Sequence, residues 1–322
     1  MSSKRPQEPI KPFPYVEKEV SFINSIDGTI LKGTLTLPDE ENKHPAVILV
    51  SGSGAQNRDE EILGHKPFLV IADHLTKAGI AVLRYDDRHY KMPAKKGWSY
   101  TTMDLAFDAK AALDFLHQQA NIDTSFIGIA GHSEGGVIAP IVASTDSRVS
   151  FVISLAGTGV SGEIIAAKQN ELFAENSTDL KFAKKVHSII INESDFKSRK
   201  KKIWQVVNTT FGKFNIAAKY KQWLMINITA SEWNRFFMMY DPAQAWGKVQ
   251  CPVLALFGEF DIQVLPDANL AAVVNALTTA NNPDYTTIII PKANHLFQTV
   301  EAGEGKPYSE LIKEYAMIEQ TI

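Results

Sequence analysis

The stretch "IGIAGHSEGGVIAP", residues 127–140, decides how the rest of the chain is read. It runs aliphatic up to Gly131, sets His132, Ser133 and Glu134 among glycines, then turns aliphatic again. The pattern predicts a buried strand at 126–130 ("FIGIA") and a helix over roughly 136–145. Gly131 and Gly135 flank Ser133 as G-x-S-x-G, which fits a strained strand-to-helix turn where side chains at the glycine positions would collide with neighbouring backbone. Such a turn exposes one hydroxyl and leaves the Glu134 amide at a helix N-terminus, facing the place where an oxyanion would form. A plain Gly-Ser turn with Ser133 as helix cap would use the same residues. The rest of the chain must decide between them.

Outward from this segment, strands and helices alternate. Short aliphatic strands are expected at 46–50, 80–86, 151–155, 253–257 and 286–290, and helical periodicity at roughly 66–78, 104–119 and 266–278. The strands are continuously apolar, as in a parallel sheet covered on both faces. Upstream, 19–25 and 29–37 are rich in β-branched residues and separated by Asp27-Gly28, an N-terminal hairpin within 19–37. The alternation breaks between about 158 and 248, where helical patterns rich in Lys, Asn, aromatic and Met residues take over. The expected organisation is an α/β doubly wound core from 1–157 and 249–322, with 158–248 inserted as a helical cap.

A serine nucleophile needs a base, and the base needs a carboxylate that fixes its tautomer. In a strand–helix architecture the order is Ser, acid, His, the last two beyond the ends of later strands. Downstream of Ser133 lie His187, mid-helix in the cap, and His295, which follows the strand and loop "TTIIIPKAN". His295 is the candidate base. For the acid, "VLALFGEFDIQVLP" offers Asp261, with Glu259 as backup; Asp267 opens a helix and Asp241 precedes a proline at the cap junction. After the first core strand, the glycine-rich "VSGSGAQNRDE" can point backbone amides at a carbonyl oxygen, and Ser53 is the expected second oxyanion donor beside Glu134. Trp223, Trp233, Phe236, Phe237 and Met238 of the cap are candidate substrate-lining residues, although their helical spacing equally suits core packing.

Composition narrows the partners. The chain has 322 residues, 45% hydrophobic and 21% charged, with net charge −3, so no electrostatic case exists for nucleic acid or an anionic membrane surface. The basic run Lys197–Lys202 reads as a solvated helical face. The single cysteine, Cys251, excludes an intrachain disulfide and a cysteine zinc site and reads as a small core residue. No apolar stretch would span a bilayer and no signal peptide is visible, so the expected compartment is the cytoplasm, or the periplasm or exterior if a leader has been removed.

Together these residues resemble the α/β-hydrolase superfamily, and more closely its bacterial serine carboxylesterases with a helical cap and an "SGSG-x-Q-x-RDE" oxyanion loop. The matching stretches are "SGSGAQNRDE", "LRYDDR", "GHSEGG", "LAGTGVSGE", "YDPAQAWGKVQCPVLALFGEFDIQV" and "ANHLFQ". The resemblance implies a metal-free esterase without cofactor, acting on a small-molecule ester with Ser133, Asp261 and His295 as triad. Two departures stand out: Arg88 is followed by His89-Tyr90-Lys91 where the family has Gly-Val-Gly-like residues, and a further helix usual after the segment matching "YAMIEQTI" is not in the sequence. Thioester hydrolysis, peptidase or acyltransferase chemistry on the same triad stays open. So, at greater distance, do a non-catalytic binding role and dinucleotide binding at Gly157-Thr158-Gly159-Val160-Ser161-Gly162, a literal G-x-G-x-x-G. Oligomeric state is not legible.

Overall fold

The computed structural model describes residues 5–62, 64–91, 99–174, 176–212 and 216–300; "YAMIEQTI" lies outside them. The strands are β1 (Val16–Ile23), β2 (Ile30–Leu37), β3 (His44–Val50), β4 (Ala81–Tyr85), β5 (Ile122–His132), β6 (Phe151–Leu155), β7 (Val253–Gly258) and β8 (Tyr285–Ile290). They form one sheet in the order β1-β2-β4-β3-β5-β6-β7-β8. The β1–β2 and β2–β4 pairs are antiparallel, and every other pairing is parallel. The chain starts the parallel part at β3, steps to β4 on one side, then crosses back to β5 on the other. In open α/β sheets such a reversal, here between β3 and β5, marks the usual ligand position beyond the carboxyl ends of the strands.

The continuous apolar runs have their expected cause. Ala46, Val47, Ile48, Leu49 and Val50 of β3 are all at most 3% exposed, so both faces of the strand are covered. Each such Ile or Leu contributes about 2 kcal/mol by leaving water. On one face Val47, Leu49, Val82 and Ala130 pack against Phe68 and Ala72 of α1 (Pro67–Lys77). Helix α2 spans Thr102–Leu116, and α3 (Gly135–Ala143) packs on β5 and β6.

The chain divides into two compact units. The sheet unit takes Met1–Tyr90, Leu105–Gly159 and Pro242–Ile322; the second takes Lys91–Asp104 and Val160–Asp241. Its helical part, Val160–Asp241, is shorter at both ends than the expected 158–248, and it includes Lys91–Asp104, expected in the core. The second unit holds α4 (Gly162–Phe173), α5 (Ser177–Asn192), α6 (Phe196–Phe211), α7 (Ile216–Thr229) and α8 (Glu232–Met239). Its core joins Val186, Ile190, Ile203, Val206, Val207, Ile226, Ala230 and Met238. The α5, α6 and α8 N-termini are closed by Asn176, Asp195 and Ser231 side chains accepting from helix amides. Back in the sheet unit come α9 (Ala243–Trp246) and α10 (Pro266–Thr279), the latter packing on β7 and β8.

Two expectations are corrected. Lys197, Lys201 and Lys202 are exposed on α6, but Arg199 in the middle of the basic run is fully buried. Its guanidinium donates to the carbonyls of Ala230, Glu193 and Ser194 at 2.7, 2.8 and 3.0 Å and to the Glu232 carboxylate at 2.6 Å. Four acceptors at the ends of α5, α7 and α8 explain why a cation sits inside. Cys251 is half-buried in the turn before β7 instead of in the core, and burial pushes its thiol pKa up.

Candidate active site

Ser133 follows β5 with φ 52°, in the left-handed region that a non-glycine residue rarely adopts. The turn is held by the Ser133 amide donating to the Leu155 carbonyl at 2.9 Å and by the Gly136 amide donating to the Ser133 carbonyl at 3.0 Å. The glycines are steric requirements. A Cβ on Gly131 would lie 1.9 Å from the Gly135 carbonyl oxygen, and one on Gly135 would lie 2.0 Å from that of Val50. Strand β5 and helix α3 can therefore approach β3 closely only at glycine. Glu134 takes helical angles at the N-cap of α3, so its amide lies at the positive end of that helix.

Across the sheet reversal, Val50 pairs with Gly131, which sets the "SGSG" turn after β3 beside the elbow. The contact is close at Gly52, where an added Cβ would stand 3.1 Å from the Ser133 Cβ. No described residue accepts from the Ser53 amide. The loop is fastened by the "LRYDDR" segment: Asp87 accepts from the Ser51 hydroxyl at 2.8 Å and the Gln56 amide at 2.9 Å. Burial pushes the Asp87 carboxyl well above its ordinary pKa. Asp86 accepts from the Arg58 amide at 3.0 Å and pairs with its guanidinium at 2.8 Å. His89, the first residue of the departure noted above, is buried and donates from Nε2 to the Gly54 carbonyl at 2.9 Å.

At the other wall, the loop after β7 carries Asp261 and the loop after β8 carries His295, 1% and 5% exposed. His295 Nδ1 donates to Asp261 Oδ2 at 2.7 Å. The second oxygen, Oδ1, accepts from the Gln263 and Val264 amides at 2.8 Å each. With its proton on Nδ1, the imidazole has its lone pair on Nε2, as a general base requires. The backup acid Glu259 is exposed and accepts from the Lys292 amide at 2.7 Å. Asp267 and Asp241 are exposed, and His187 sits half-buried on α5, accepting from the Asn170 amide group at 3.3 Å.

Two residues escaped the sequence reading. Glu60 and His132 are buried and 2.8 Å apart, and His132 Nε2 donates to the His295 carbonyl at 2.9 Å. No sequence signal pairs them: Glu60 closes "VSGSGAQNRDE" beside Arg58 and Asp59, and His132 stands between Gly131 and Ser133. The aromatic candidates lie in the helical unit, where Trp223, Trp233, Phe236 and Phe237 are half-buried. Trp233 stacks on Phe237, whose ring closes on Gly162, and Met238 is in that unit's core. Among the described residues no cluster of His, Cys, Asp or Glu could hold a metal ion, and no helix is long and apolar enough to cross a membrane. The glycines of the G-x-G-x-x-G segment are occupied by packing, with Gly157 against Gly136 and Gly159 against the Asn269 carbonyl.

The sequence pattern of one family, BD-FAE, matches residues 35–269, which takes in the turn at Ser133, the "SGSG" loop and Asp261. The chain belongs to the BD-FAE family. Among proteins similar to this BD-FAE member, esterase EstD of Thermotoga maritima is 32% identical over 142 residues, 44% of this chain and 34% of that one. Thiohydrolase aneE of Aspergillus aculeatus is 34% identical over 141 residues, 42% of this chain and 40% of that one. The match thus spans well under half the length of either relative. Among solved structures, esterase Pf2001 of Pyrococcus furiosus superposes with a TM-score of 0.56 at 15% identity, covering 92% of this chain and 90% of that one. At that identity the likeness is one of fold, and the fold is that of the α/β hydrolases.

Proposed function

We propose that the protein is a serine hydrolase that cleaves carboxylic esters of short to medium acyl chains through an acyl-enzyme. The observation that carries this reading is the Asp261–His295 pair, with Nε2 left as the base and the His295 loop hydrogen-bonded to the residue next to Ser133. His295 takes the Ser133 proton as Oγ attacks the ester carbonyl, and the Ser53 and Glu134 amides receive the oxyanion. The C–O bond to the alcohol then breaks, His295 protonates the departing alkoxide, and water repeats the cycle to release the acid. One oxyanion donor is typically worth about 10²–10³ in rate.

Replacement of Ser133 by Ala should reduce hydrolysis of p-nitrophenyl acetate and butyrate by at least about 10⁴-fold with the fold retained. Substantial residual activity in a folded variant would sink the assignment. The similarity to a protein named a thiohydrolase favours one further reading, a thioester substrate on the same residues. Comparing kcat/KM for matched oxygen and sulfur esters separates the two.

A further inference from the structure

Glu60 and His132 form a second carboxylate–imidazole contact directly behind Ser133, and the scheme above uses neither. Glu60 is fully buried and holds φ 51°, a conformation that costs free energy and persists only where its surroundings impose it. Here they do. Its Oε1 accepts from the Gly52 amide at 2.6 Å and meets His132 Nδ1 at 2.8 Å. His132 reaches the other way to the His295 carbonyl, and the two imidazole centroids stand 4.8 Å apart. One pair of side chains therefore ties together the oxyanion loop at Gly52, the elbow at residue 132 and the backbone of the base.

The proton count follows from the partners. A carbonyl oxygen only accepts, so His132 Nε2 carries a hydrogen. Glu60 Oε1 already accepts the Gly52 amide, so the contact with His132 is best made by an N–H on Nδ1 as well. Glu60 Oε2 is buried with no hydrogen-bond partner among the described residues, and Glu60 and His132 both line a cavity of about 10 Å³ whose other walls include Phe68, Ile71, Leu155 and Phe297. A carboxylate in those surroundings requires a cation against it. Burial alone would lower the His132 pKa, but Glu60 facing it holds it above the ordinary histidine value.

We infer that Glu60 and His132 are a positioning ion pair, His132 carrying both ring protons, that keeps the Ser53 amide and the His295 base in register with Ser133. Among the described residues, the charged or titratable groups that act on His132 are Glu60, Asp261 and His295, while the buried Glu134, like Glu60, acts on Asp87. Two carboxylates thus flank two imidazoles. The four groups sum to one negative charge at rest and to zero when His295 accepts the Ser133 proton, so the pair does not oppose charging of the base.

The inference rests on the Ser133–His295–Asp261 reading, and its tests fail separately from it. In wild-type enzyme labelled with ¹⁵N-histidine, one of the eight histidines should keep both ring nitrogens protonated at pH 8. That signal should be lost in Glu60→Gln. Eight neutral histidines at pH 8 would overturn the proposal without recourse to any variant. In folded Glu60→Gln, kcat should fall about 10- to 100-fold with KM within about twofold, and fluorophosphonate labelling of Ser133 should slow in parallel. Unchanged kcat and labelling rate would overturn it as well. If Glu60→Gln does not fold, the wild-type spectrum alone decides. Failure of the triad itself would show differently, as wild-type labelling at a residue other than Ser133 with the His132 spectrum unaffected.

Discussion

With two backbone amides on Oδ1, the Asp261 carboxylate has one orientation, and Oδ2 is the atom that meets His295. An amide in its place inverts the logic. In Asp261→Asn the carbonyl oxygen would stay on the Gln263 and Val264 amides, because an NH₂ there would face two donors. The NH₂ would then donate to His295 Nδ1, placing the imidazole hydrogen on Nε2, where the base needs its lone pair. A kcat roughly 10³–10⁴ below wild type, with melting temperature nearly unchanged, is the expected steady-state result on p-nitrophenyl butyrate. The preference for Asp261 over Glu259 could be reasoned from sequence because loop length beyond a strand sets reach. Glu60 could not be paired with His132, since 72 positions separate them and only the folded sheet places β3 beside β5.

Among the elements, the close approach of β5, α3 and β3 depends on missing side chains. A methyl on Gly135 has only the Val50 carbonyl to occupy, and neither strand nor helix can yield without opening the core. Gly135→Ala should therefore cost about 3 kcal/mol or more in urea denaturation. Gly79→Ala, with open space but φ 93°, should cost about 1 kcal/mol through backbone strain alone. Strands and helices around the elbow were legible because their apolar runs are long and bounded by turn residues. The basic run on α6 was not, because charge sequence says nothing about which side chain finds carbonyl acceptors. Arg199→Met leaves the Ala230, Glu193 and Ser194 carbonyls without that donor and should destabilise the protein by about 3 kcal/mol. A double-mutant cycle with Glu232→Gln should show that only a minor part belongs to the ion pair, whose carboxylate is 46% exposed.

For the molecule as a whole, the limits of the two units were the least legible property. Which unit a stretch such as 99–104 joins is set by contacts in three dimensions, and local periodicity carries no record of them. The sheet unit, by contrast, has a property that one residue couples to solvent pH. Burial pushes His89 down to about 4 from an ordinary 6.5, because the imidazolium would lose its hydration. Between those values the unfolded chain binds a proton that the folded chain refuses. Stability is therefore complete above about pH 6.5, declines as the pH falls toward 4, and gains no further loss from this group below that. The Nε2–H bond to the Gly54 carbonyl survives protonation, so the whole cost comes from charging a buried ring. Replacement by Gln keeps an N–H for Gly54 and removes the titration. Urea unfolding at pH 7.5 and at pH 4.5 should show wild type losing more stability than His89→Gln, by no more than about 3 kcal/mol. Equal losses would mean that the acid sensitivity of the sheet unit arises from its carboxylates and not from this imidazole.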